Sequence, residues 1–129
     1  MRILLDTQCW LWMLSAPERL SAPARERLTA PQHDLFLSAA SAWEIAIKHS
    51  IGRLTLPMGP AEYVRSRLER SRTQPLAITH DHALQVATLP PHHRDPFDRL
   101  LIAQAQIERL VIMTADRQFS AYEVEVIEA

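Results

Sequence analysis

Apolar residues along this chain fall into short compact runs, separated by stretches in which they recur every three or four positions. That pattern predicts strands alternating with helices. Residues 2–5 form an apolar run ending at Asp6, and Trp10 to Leu14 follow as a short buried helix with its indoles in the core. A second helix follows Ser21, with Pro23 in its first turn, where a missing N–H costs nothing, and runs to about Leu28; Pro31 marks its end. Leu35 to Leu37 reads as a strand. Ser38 to Ser50 reads as a helix carrying Trp43, Glu44 and Lys48, closed by Gly52 in the position after the cap. A helix over about 60–71, a short strand from Leu76 to Ile78 and a helix from His80 to Ala87 lead to the stop at Pro90-Pro91. Asp95-Pro96 opens a helix from Phe97 to Glu108. A strand from Leu110 to Met113, a polar turn from Thr114 to Arg117 and a closing strand near Val124 to Ile127 complete the order. Alternation of this kind predicts an α/β fold: a mostly parallel central sheet flanked by helices on both faces.

Length and composition narrow the class. At 129 residues the chain fits one domain, 1–129, with a core that needs no disulfide or structural metal. It is 47% hydrophobic and 22% charged, as soluble globular proteins are, and no apolar run approaches the roughly 18 residues of a membrane span. The first apolar stretch reaches Asp6 too soon to be a signal peptide, so a cytoplasmic protein is expected. A net charge of −1 argues against binding nucleic acid through a large positive field. A local patch stays open. Arg65, Arg67, Arg70 and Arg72, with Glu62 and Glu69 interleaved, read either as a solvated helix face or as a phosphate-contacting surface. Cys9 is alone and reads as a small buried apolar residue, and no Cys/His spacing suggests zinc.

The chemistry lies in four acids. The predicted elements put Asp6 at the carboxyl end of the first strand and Asp116 just past the end of a later one, the edge where open α/β sheets bind ligands. Glu44 and Asp98 fall in the first turns of helices that start at the same edge. Carboxylates gathered there repel one another and need raised pKa values or a bound cation. Oxygen donors select Mg²⁺ or Mn²⁺. Three of the acids have a ready structural reading too, whereas Asp6, at the rim of the sheet directly after four strand residues, needs a partner. Ser41 precedes Glu44 by three, and Asp95 precedes Asp98 by three, the spacing of a capping box, while Asp116 suits a turn. Lys48, at i+4 from Glu44, is placed to pair with it. Arg99, one position beyond Asp98, points about 100° away and reads as a structural or partner contact. His92-His93 reads as loop, with a place near the pocket mouth left open, and the six histidines show no ligand spacing.

Four segments together resemble a known family: Leu4-Leu5-Asp6-Thr7, Ser41 to Lys48, Asp95 to Ala105, and Thr114-Ala115-Asp116. Their order and residues are similar to the successive motifs of PIN-domain proteins, most of all the VapC-type toxins of toxin–antitoxin pairs, over essentially the whole chain. The resemblance implies an acidic pocket of Asp6, Glu44, Asp98 and Asp116 holding one or two Mg²⁺ or Mn²⁺ ions, with polar contacts from Thr7 and Thr114. It implies an endoribonuclease that hydrolyses RNA with metal-activated water and no protein nucleophile. It further implies a homodimer held inactive by a cognate antitoxin, whose arginine entering the carboxylates would replace metal charge.

Two other enzyme classes also place aspartates and Mg²⁺ at strand ends. A haloacid-dehalogenase-like phosphatase needs a second aspartate two residues after Asp6, where Gln8 stands; a receiver domain needs a phosphoacceptor at the end of a central strand, and Leu35-Phe36-Leu37-Ser38 has none. A non-catalytic PIN-fold module that binds RNA or protein is the remaining alternative.

Overall fold

Side chains alternate between the two faces of a strand, so three consecutive buried residues, Ile3, Leu4 and Leu5, require cover on both sides of their sheet. The computed structural model, which describes residues 1–129, provides it. Strands β1 (Arg2–Leu5), β2 (Asp34–Ser38), β3 (Thr73–Leu76), β4 (Val111–Thr114) and β5 (Val126–Glu128) form one sheet. Its order is β3-β2-β1-β4-β5, and every pairing is parallel. The helices are α1 (Thr7–Ser15), α2 (Ala22–Thr29), α3 (Ala39–Ser50), α4 (Pro60–Arg70), α5 (His80–Gln85) and α6 (Pro96–Glu108). Ile3 and Leu5 join Trp10, Ala24, Ile45, Tyr63 and Val64 in a core under α1 to α4. Leu4 joins Leu101, Ile102, Ala105, Ile112 and Phe119 in a second core under α6.

The strand order decides where a site can form. From β1 the chain builds outward through β2 to β3, then crosses back to lay β4 and β5 on the other side of β1. The crevice at the carboxyl ends of β1 and β4 is thus a topological switch point, the place where α/β sheets leave room for a ligand. Leu5 is level with Met113, and the backbone N–H of Asp6 donates to the Met113 carbonyl at 3.1 Å.

Several elements differ from the sequence reading. The third strand is Thr73–Leu76 rather than 76–78, with Pro75 inside it; β3 is an edge strand with one neighbour, where a proline removes no ladder bond that is needed. The last strand starts at Val126, and a 3₁₀ turn, Arg117–Ala121, precedes it. α1 begins at Thr7, directly after the strand, with Asp6 as its N-cap. Trp10 is fully buried, whereas residues 11–14 are only half-buried. Gly52 does close α3, at φ +75°, a conformation a side chain resists. Arg65, Arg70 and Arg72 are exposed, and Arg67 stacks over the Tyr63 ring at 4.9 Å.

Candidate metal centre

Asp6 holds its place because it directly follows β1 and caps α1 with no loop between. Its Oδ1 accepts the Cys9 N–H at 2.7 Å, satisfying a donor that the first helical turn leaves free. Its Oδ2 accepts the hydroxyl of Thr114, the last residue of β4. The same Thr114 oxygen accepts the backbone N–H of Asp116 at 3.0 Å, so one hydroxyl links the acids of the two central strands. Asp116 caps the following 3₁₀ turn through Oδ1, which accepts from Gln118 N at 2.9 Å. Burial pushes the Asp6 carboxyl above the ordinary carboxylate range, and the Glu44 charge adds to the rise.

Glu44 comes from α3. The helix starts earlier than a Ser41–Glu44 capping box allows: Ser38 is the N-cap, its Oγ accepting Ala40 N at 3.0 Å. Glu44 therefore lies in the second turn, not the first. Ser41 is buried and accepts the Thr7 hydroxyl at 2.9 Å, tying α1 to α3 beside the acids. Glu44 is itself buried, and its Oε2 meets Lys48 Nζ at 2.7 Å, the expected i,i+4 pair.

Asp98 is the third residue of α6, and half of the expected box forms there. Asp95 Oδ1 accepts Phe97 N at 2.8 Å and Asp98 N at 3.1 Å, but the Asp98 carboxylate turns to His93 instead of the cap backbone. Burial first, then the Asp95 charge, pushes Asp98 up to about 7; Glu44 and Asp6 add to the rise, and His93 opposes it. All four sequence-predicted acids thus stand at one crevice, with Asp6 and Glu44 near enough for their charges to reach Asp98. The tightest group is different: His93, Asp98 and Asp116 bring ligand atoms within 4.8 Å of one another.

Sequence reasoning read His93 as loop, left a place near the pocket mouth open and gave it no partner. It is in a loop. However, α6 and β4 place their acids on either side of that loop, and no local spacing signals a partner 23 residues away. Arg99 has the structural role expected. Its guanidinium donates to the carbonyls of Val86, Leu89, Pro90 and His93 at 3.1–3.3 Å and fastens the loop that carries His93.

The donor set fits a hard divalent cation: the carboxylates of Asp98 and Asp116 meet at His93, the charges of Asp6 and Glu44 reach Asp98, and Asp98 is held up to about 7 by burial first and by neighbouring acids second, a cost that a double positive charge would relieve. Fold and site together define a class, an acid-lined, parallel α/β domain with its crevice at the switch point. The PIN-domain family model matches residues 3–125, and the chain belongs to that family. Ribonuclease VapC16 of Mycobacterium tuberculosis is 44% identical over 68 residues, which are 50% of this chain and 48% of the relative; the match spans about half the length of that curated relative. Among solved structures, VapBC2 of Rickettsia felis, bound to a DNA fragment from its promoter, superposes with a TM-score of 0.72 at 14% identity, covering 99% of this chain and 98% of that one. A toxin–antitoxin complex from Klebsiella pneumoniae gives a TM-score of 0.63 at 20% identity over 97% and 95%. At those identities the two structures establish the fold.

Proposed function

We propose that this chain is a Mg²⁺- or Mn²⁺-dependent endoribonuclease, the toxin of a toxin–antitoxin pair, acting in the cytoplasm as a homodimer. The observation that carries the reading is the gathering of Asp6, Glu44, Asp98 and Asp116 at the switch point, with Asp98 pushed up to about 7. These four residues would hold the cation. When bound, it supplies a water acidified enough to attack phosphorus near neutral pH. The protein's part is to keep the donors in place. Thr114 fixes Asp6 and Asp116, Lys48 steadies Glu44, and the Asp95 cap aligns the start of the Asp98 helix. Beside the acids, Trp43 is 58% exposed and stands edge-on to Phe97 at 5.1 Å, an aromatic surface on which an unpaired base can stack. Support for RNA as substrate comes from the relative matched over half its length, a ribonuclease, and support for an antitoxin partner from the toxin–antitoxin complex that shares the fold. An arginine of such a partner, entering the carboxylates, would substitute for the cation.

The test is cleavage of a mixed RNA pool by the purified chain with Mg²⁺ or Mn²⁺, against EDTA and against Asp6→Asn and Asp98→Asn. Cleavage is expected only with the cation, and each substitution should lower it by roughly a hundredfold or more, since even groups that merely orient ligands are worth about 10–100-fold. Cleavage that survives both substitutions would sink the assignment. RNA binding without any cleavage would favour the non-catalytic module.

A further inference from the structure

The loop between α5 and α6 passes over the carboxylates, and its His93 has the densest polar connections in the cluster. His93 Nε2 lies 2.9 Å from Asp116 Oδ2 and 3.0 Å from Asp98 Oδ2. Nδ1 accepts the backbone N–H of Asp95 at 3.2 Å. The backbone N–H of His93 donates to the Tyr122 hydroxyl at 2.7 Å, and the ring stands edge-on to Phe119 at 5.7 Å. The side chain is 10% exposed, so its orientation is set by packing as well as by hydrogen bonds.

The bond at Nδ1 decides the tautomer. A ring nitrogen that accepts an N–H presents a lone pair, so the hydrogen of the neutral imidazole sits on Nε2, which bonds to Asp116 Oδ2 and has Asp98 Oδ2 3.0 Å away. A nitrogen that carries this hydrogen has no lone pair to give a cation. We propose that His93 is a positioning residue and not a metal ligand: its Nε2–H donates to Oδ2 of Asp116 and keeps Oδ2 of Asp98 beside it for a divalent cation, while the ring stays outside the coordination shell. The inference rests on the reading that these carboxylates bind such an ion. It places one residue of the 92–93 pair in the machinery, and it gives the Arg99 contacts with that loop a purpose, since they fix the backbone from which the ring projects. Groups that orient metal-binding carboxylates contribute to affinity without touching the metal.

The experiment is binding of Mn²⁺ to the full chain, read by the electron paramagnetic resonance of the free ion, for wild type, His93→Ala, His93→Gln and Asp98→Asn. Thermal melting of each metal-free protein establishes that it is folded. His93→Ala should weaken Mn²⁺ binding by about 10–100-fold. His93→Gln, whose amide places an N–H where Nε2 stood, should recover most of the loss. Spin-echo spectra of bound Mn²⁺ should show no directly coordinated histidine nitrogen. The inference is overturned if folded His93→Ala binds Mn²⁺ as tightly as wild type or more tightly, if folded His93→Gln is no better than His93→Ala, or if a nitrogen coupling appears in wild type and vanishes in His93→Gln. Failure of the underlying reading looks different: wild type and Asp98→Asn would then bind Mn²⁺ equally or not at all.

Discussion

Thr114 shows how much one hydroxyl organises. It donates to Asp6 Oδ2 and accepts from Asp116 N–H, so the two acids at the ends of β1 and β4 are indexed to a single atom. Thr114 is 2% exposed, and water cannot easily replace its hydrogen bonds. Replacing it with valine keeps the shape and removes both bonds. Leaving buried partners unmet costs about 1–3 kcal/mol. Urea denaturation of Thr114→Val should therefore show a lower midpoint with an unchanged slope; an unchanged midpoint would mean that Asp6 has found another donor. Cys9, by contrast, donates its backbone N–H to Asp6 but brings no reactivity, since burial pushes its thiol far above the ordinary range.

At the level of elements, the ends of helices do much of the positioning. Asp6, Ser38, Asp95 and Asp116 each cap the element that follows, and two of these caps are themselves candidate ligands. Helix α6 ends on a residue that fits poorly. Arg109 adopts the left-handed conformation at φ 56°, the region glycine occupies most readily, while its N–H still closes the helix on the Ala105 carbonyl. A left-handed non-glycine residue costs about 1–2 kcal/mol, of which glycine's greater freedom in the unfolded chain offsets about half. Arg109→Gly should raise stability by up to about 1 kcal/mol in chemical denaturation. A loss instead would show that the arginine side chain makes a stabilising contact of its own.

Across the whole molecule, buried acids set stability against function. Asp98 is held up to about 7 from an ordinary 3.8, and Asp6 is raised as well, both chiefly by burial. Between those values the native protein keeps a proton that the unfolded chain has released. Stability must then fall as pH rises through that interval, because the native state binds the more protons. Melting in EDTA should show this decline between about pH 4 and pH 7, with a shallower slope in Asp98→Asn. A saturating divalent cation should reverse it near pH 7, by about 2.7 kcal/mol at a hundred times its dissociation constant. A profile in EDTA that rises over the same interval, or is indifferent to the cation, would contradict the raised pKa values of the buried acids.

The sequence by itself determined the alternation of strands and helices, the sites of Asp6 and Asp116 at strand ends, the helix start at Asp95-Pro96, and the Glu44–Lys48 pair. Each of these depends on residues within a few positions of one another, where period, proline and capping chemistry are decisive. The edge strand at Thr73–Leu76 was hidden by Pro75, acceptable only because β3 has a single neighbour. Ser41 looked like a cap until Ser38 took that place and left Ser41 to bind Thr7. Tertiary structure decided that the polar contact implied for Thr114 is a bond to Asp6 across 108 residues, and that His93 reaches Asp116 across 23. Parallel strands bring distant segments together through crossovers whose packing no local pattern records, so the chain announced its acids and the neighbouring Lys48 but not the long-range bonds that hold the acids in place.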